Sequence, residues 1–195
     1  ARQLANLNNT TAELVALGYA VTVDLHPGSR FQRLHKDNPA QAVDALQDAW
    51  GRLARVVGRF SPERVFAELL NEPEVAPQQW QTEAERLAQF IRQRLPDTTL
   101  IIGPTNWQRA DSLPQLRPLD DPNIVYAIHF YDPMVFTHQG HWDERNPLSS
   151  IKELPFPIRR DDKAVKDIRA GLIAEGKEHA LKELDTAIAA SENGD

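Results

Sequence analysis

The chain has 195 residues with 22 basic and 28 acidic side chains, a formal net charge of −6, and is 41% hydrophobic and 26% charged. That balance excludes wholesale disorder and argues against a general affinity for nucleic acid, while the length suits one domain with a sizeable core. With no cysteine, disulfides, thiolate metal sites and a cysteine nucleophile are excluded, and no run of 18 apolar residues offers a membrane span.

Residues 1–7 read as the front of a helix and lack the pattern of a signal peptide. Residues 19–26, YAVTVDLH, alternate as a strand. Val21, Val23 and Leu25 share one face, Thr22, Asp24 and His26 the other. Asn38 can cap a helix with Pro39 at its first position. Val43, Leu46, Trp50, Leu53, Val57 and Phe60 then recur at helical spacing. A second strand spans 64–72, RVFAELLNE, and a helix follows from Pro77 to Leu95 with Trp80, Ala84, Leu87 and Ile91 on one stripe. Strands at 98–103 and 123–131 flank a short helical stretch, Gln108 to Leu116. The polar stretch 132–160 is too long for an ordinary connector and reads as a functional loop. Helical stretches near 162–174 and 176–190 and a polar exit, Ser191 to Asp195, end the chain.

Strands alternating with helices predict an α/β fold with a parallel sheet, either open and doubly wound or a (β/α)8 barrel. Both place function at the carboxyl ends of the strands. His26, Asn71, Glu72, His129 and Tyr131 all fall there, and Asn106 and Trp107 follow the third strand. No glycine-rich phosphate loop follows any strand, which weakens a nucleotide-binding reading. A carboxylate beside an amide, Glu72 after Asn71, suits acid–base work on a substrate rich in hydroxyls. The same residues are also common where a strand simply turns. In 128–131 the period of two puts His129 and Tyr131 on one face and Ile128 and Phe130 against the helices. Asp24 and His26 could suggest a metal with His129, but the spacing shows no convergent ligand set, so no metal or organic cofactor is expected. Glu68 shares a strand face with Glu72 and reads as a structural, hydrogen-bonded residue.

The ordered segments VTVDLHP, FAELLNEP, IIGPTNW, AIHFYDP and FTHQG resemble glycoside hydrolase family 5, the cellulase-like (β/α)8 barrels. The resemblance covers nearly the whole chain, from the helix before barrel strand 3 to the helix after strand 6. It implies a partial barrel of about four parallel strands with flanking helices, 1–195 being one partial catalytic domain. It matches Glu72 to the general acid/base and Asn71 to the amide that touches the sugar 2-hydroxyl. His26, His129 and Tyr131 match site-lining residues. The family retains anomeric configuration, which takes two carboxyl groups about 5–5.5 Å apart. The family's nucleophile, a glutamate ending strand 7, has no counterpart here. Asp24, Asp143, Glu144 and Glu153 do not stand where it would be needed. The expected activity is endo-hydrolysis of a β-1,4-glucan such as cellulose, this chain alone being inactive. A mannan or other β-glycan hydrolase and a non-catalytic carbohydrate-binding fragment are the alternatives.

Sugars present apolar faces to flat rings. Trp107 is the first candidate platform and Trp142 the second, while Trp50 and Trp80, on helix stripes, read as core. His138 and Gln139 could hydrogen-bond hydroxyls. The expected partner is a polysaccharide or oligosaccharide, with no nucleic acid and no membrane. The resemblance implies a secreted or periplasmic protein.

Overall fold

A computed structural model describes residues 2–193. Contacts divide the chain into two compact units, Ala1–Phe130 and Tyr131–Asp195. Ala1 of the first expected helix, and Gly194 and Asp195 of the polar exit, lie outside the described residues.

The first unit runs α1 (Arg2–Ala16), β1 (Val21–Asp24), α2 (Ser29–Asp37), α3 (Pro39–Val57), β2 (Val65–Glu68), α4 (Pro77–Arg92), β3 (Leu100–Ile102), the single turn α5 (Thr105–Gln108), a 3-10 turn (Ala110–Gln115) and β4 (Ile124–Tyr126). The four strands form one parallel sheet in the order β1-β2-β3-β4. Register places Val23, Ala67, Leu100 and Ile124 in one row and Asp24, Glu68, Ile101 and Val125 in the next. The first row packs with Leu46, Trp50, Trp80, Leu87 and Ile91 into one core. The second row is more open, and Val125 is half exposed. Helices α3 and α4 cover the face of the first row through Trp50 and Trp80.

Local chemistry starts the long helices as the sequence indicates. Asn38 Oδ1 accepts the Gln41 N–H at 3.3 Å and Pro39 opens α3, so one orphan donor is satisfied and the missing proline N–H costs nothing. Val43, Leu46, Trp50 and Val57 of the α3 stripe and the whole α4 stripe are buried as expected, with Trp50 and Trp80 essentially inaccessible, while Leu53 and Phe60 are partly buried and Phe60 lies past the end of α3. Each indole also donates to a carbonyl just beyond a strand. Trp50 Nε1 reaches Leu69 O at 2.9 Å and Trp80 Nε1 reaches Gly103 O at 2.8 Å. Two acceptors that have left the ladder are thereby satisfied without water.

The strands are shorter than their apolar runs. The chain keeps exchanging single hydrogen bonds beyond them, as in Leu69 N–H to Ile101 O and Asn71 N–H to Leu25 O. In particular β4 stops at Tyr126, so His129 and Tyr131 do not lie on a strand, and Ile128 and Phe130 do not bury against helices but are 44% and 71% exposed. Helix α2 was not expected. Its sequence is polar, and its apolar side is narrow, Phe31 and Leu34 beside a buried His35.

The second unit holds α6 (Met134–Thr137), a 3-10 turn (Pro147–Ser150), α7 (Lys163–Ala174) and α8 (Glu178–Asn193). The stretch read as a polar loop supplies Leu148, Ile151, Leu154 and Ile158 to a core with Val165, Leu172, Leu184 and Ile188. Gln139 is not available for sugar hydroxyls. Its Nε2 donates to Phe136 O and Leu154 O, and its Oε1 accepts the Leu154 N–H. Among the described residues no helix is long and apolar enough to cross a membrane.

Arg92, at the end of α4, ties the strand entrances together. Its guanidinium donates to Leu95 O, Pro96 O, Thr98 O and Asn123 O, and grips Asp121 at 2.9 and 3.1 Å. The Arg92 hydrogen bonds hold the Asp121 carboxyl below its ordinary range, against the opposing effect of burial. A depressed carboxylate adds stability above its unfolded value and loses it as pH falls through its folded value. Arg92→Met is expected to lower stability at pH 7 by about 2 kcal/mol. Part of that difference should vanish in acid, once Asp121 is protonated in both proteins. Urea unfolding of both proteins across the acid range checks this.

Candidate active site

The site is built where β1, β2 and β3 give way to loops. After Glu68 the chain continues through buried Leu69 and Leu70 to Asn71 and Glu72. Glu72 has φ +48 and precedes Pro73. A non-glycine residue there is strained, by about 1–3 kcal/mol, so the surroundings must hold it. What holds it is Gln108, whose Oε1 accepts the Glu72 N–H at 2.6 Å.

Gln108 arrives from an unusual turn. Asn106, Trp107 and Gln108 have φ of +57, +57 and +56, three consecutive non-glycine residues in the left-handed region. This turn leaves Asn106 exposed and Trp107 54% exposed, and sends Gln108 inward to full burial. Gln108 Nε2 donates to Glu68 Oε1 at 3.1 Å. Its own carbonyl accepts the His129 N–H at 2.8 Å. His129 Nδ1 in turn lies 2.8 Å from Glu72 Oε1, so with the carboxylate ionised the ring donates from Nδ1.

Asn71 and His26 join the same cluster, Asn71 Nδ2 donating to His26 Nε2 at 3.4 Å. His26 Nδ1 lies 3.9 Å from Asp24 and the ring is largely exposed. Behind this cluster, His35 and Glu83 form a buried pair at 2.5 Å, with Gln79 donating to Glu83. That pair ties α2 to α4 beside the Asn71–Glu72 loop. Neither His35 nor Glu83 stands out in the sequence, because each looks like a polar residue on a solvated helix face.

Glu68 is a half-buried, partnered carboxyl. Desolvation pushes its pKa up; the Gln108 hydrogen bond opposes this, and Asp24, its neighbour in register, adds to it. Among the described residues no group of three or more His, Asp or Glu could hold a metal ion.

Of the expected residues, the first unit brings together Glu72, Asn71, His26 and His129, with Asn106 and Trp107 on the turn that delivers Gln108. The second unit brings together Tyr131, His138 and Trp142. There His138 stacks on Trp142 at 4.8 Å and 3°, and meets Tyr131 edge-on at 5.1 Å. Thr137 Oγ1 donates to Tyr131 O at 2.6 Å. Gln108 was missed as a site residue; the sequence placed it only at the start of a short helix.

A carboxyl whose pKa is raised on folding is neutral in both states below its ordinary value of 4.5 and adds nothing there. Above that value the unfolded chain releases its proton first, and stability falls until the folded carboxyl also ionises. Glu68→Gln, which cannot ionise, is therefore expected to be more stable than the parent at pH 7 and equal to it below pH 4. Paired urea titrations at the two pH values would show an unchanging difference if Glu68 were not responsible.

Residues 1–191 match the family described as Cellulase (glycosyl hydrolase family 5). Endoglucanase 3 of Fibrobacter succinogenes is 32% identical over 121 residues, 59% of this chain and 18% of that protein. Endoglucanase C of Acetivibrio thermocellus is 36% identical over 134 residues, 64% of this chain and 38% of the relative. The solved structure of Thermotoga maritima Cel5A in complex with mannotriose aligns with TM-score 0.69 and 23% identity, over 100% of this chain and 57% of that one. The chain thus spans well under half the length of these two curated relatives. The likeness to the solved structure shows the fold, with the four parallel strands and their helices following the (β/α)8 barrel of the endoglucanases. With its site at the strand ends and its family match over nearly the full length, the chain belongs to glycosyl hydrolase family 5, the cellulases.

Proposed function

We propose that Glu72 is the general acid/base of a retaining endo-β-1,4-glucanase. The observation that carries this reading is the Glu72 carboxylate held 2.8 Å from His129 Nδ1, beside Asn71, at the carboxyl end of β2. In the first step Glu72 protonates the glycosidic oxygen while a second carboxylate attacks the anomeric carbon. In the second step Glu72 takes a proton from the water that attacks the anomeric carbon, breaking the bond to the second carboxylate and releasing the sugar. His129 orients the Glu72 carboxylate, and Asn71 donates to the sugar 2-hydroxyl.

The nucleophile is a separate carboxylate. It must be ionised to attack, and the desolvation that raises the Glu68 pKa argues against Glu68 in that role. In this reading the nucleophile is the glutamate that ends a later strand in the family pattern, so the chain carries the acid/base half of the site and does not hydrolyse glycan unaided. Exposed Trp107, with Asn106, offers a platform for a sugar face, and Tyr131, His138 and Trp142 offer a second aromatic group. The endoglucanase relatives favour a β-1,4-glucan. A wider β-glycan specificity, mannan included, is the second reading, because Thermotoga maritima Cel5A has been solved with both mannotriose and cellobiose. A polymeric substrate of this kind is met outside the cell, so export belongs to the same proposal.

In the full-length enzyme Glu72→Gln is expected to lower kcat on unactivated cello-oligosaccharides by about 10²–10⁴. Their binding should persist within a few-fold, as read by calorimetry. Near-normal turnover in that variant would sink the assignment. Binding without any cleavage in the parent enzyme would favour a carbohydrate-binding role instead.

A further inference from the structure

Three of the hydrogen bonds that shape the acid/base corner converge on one fully buried residue. Gln108 has no solvent access. Its side-chain oxygen takes the Glu72 N–H, its side-chain nitrogen gives to Glu68, and its main-chain carbonyl takes the His129 N–H. The amide has one workable orientation. Turned over, it would set an NH2 against the Glu72 N–H and an oxygen against the Glu68 carboxyl. Gly103 guards the space, since a Cβ built there falls on the Gln108 amide. Three consecutive left-handed residues are needed to bring this side chain inward, each at a cost of about 1–3 kcal/mol.

We propose that Gln108 is the positioning residue for Glu72. It holds the strained Glu72 backbone through the N–H, and holds the His129 backbone through its own carbonyl. The two side chains that meet at 2.8 Å are therefore both placed from one buried residue. Glu68 is the keeper of the arrangement, because it fixes which way the amide points. The catalytic part of this inference rests on the reading of Glu72 as acid/base; the placement of Glu72 does not.

The test uses the full-length enzyme and three variants, Gln108→Leu, Gln108→Glu and Gly103→Ala, each first shown to be folded by its thermal unfolding. Two readouts are taken. One compares kcat/KM on cello-oligosaccharides with kcat/KM on a 2,4-dinitrophenyl cellobioside, whose leaving group departs without a proton. The other is the His129 ring tautomer by nitrogen NMR of histidine-labelled enzyme. Gln108→Leu is expected to lose about 10²-fold on the unactivated substrate and little on the dinitrophenyl one. Its His129 should also lose the dominant Nδ1–H form. Gly103→Ala, which pushes on the amide without removing it, should show the same split in smaller measure. In Gln108→Glu the introduced carboxyl can both accept and donate while protonated, so activity should approach the parent in acid and fade as pH rises. Equal losses on both substrates, or an unchanged His129 signal in folded Gln108→Leu, would overturn the proposal. Should Glu72→Gln itself show no split between the substrates, the acid/base reading fails, and the His129 signal alone decides whether Gln108 places Glu72.

Discussion

The structure of the site depends on one buried amide having a single way to satisfy its neighbours. Gln108 sits between a main-chain donor and a carboxyl acceptor, and its own side chain has no access to solvent. An unpaired buried donor costs about 1–3 kcal/mol, so losing this side chain would leave the strained Glu72 backbone without compensation. The left-handed turn at 106–108 has a physical reason in the same terms. It serves two requirements at once, a polar group turned into the interior and an indole turned out to solvent.

The sheet makes that corner rigid. Parallel register sets Asp24 beside Glu68, so two carboxyls lie in one row and the Asp24 charge adds to the upward push on Glu68. Where β2 and β3 end, the indoles of Trp50 and Trp80 take the carbonyls that leave the ladder. The same two rings fill the core between helices and sheet, so packing and strand-end geometry are one constraint. At the opposite end of the strands, Arg92 binds four carbonyls and Asp121. β3 is thus held at both ends, β2 at its carboxyl end and β4 at its entrance.

Much of this was legible in the sequence because it follows from periodicity. The stripes through Trp50 and Trp80 recur every three or four residues, and both are buried as the spacing requires. Asn38 and Pro39 announce the start of α3 in their own chemistry. The alternation in 21–26 puts Val23 inside and His26 outside, as found. The failures lie where periodicity carries no information. Ile128 and Phe130 alternate like strand residues, yet the β4 ladder ends at Tyr126, a single bridge follows at His129, and both are exposed. Gln139 looks like a loop residue free to meet a sugar, and its amide is spent on its own backbone. Gln108 was invisible because a left-handed turn of three non-glycine residues leaves no compositional mark. Glu68 was read correctly as a partnered carboxyl, but its partner could be found only in three dimensions.

The most direct measurement is a crystal structure of the protein with a cello-oligosaccharide bound at the Glu72 corner. The account expects a Glu72 carboxyl oxygen about 2.6–3.2 Å from the glycosidic oxygen. It also expects His129 Nδ1 still on the other carboxyl oxygen or shared with it, and Asn71 Nδ2 on the 2-hydroxyl. A sugar bound with its glycosidic oxygen out of reach of Glu72, and facing another carboxyl group instead, would contradict it.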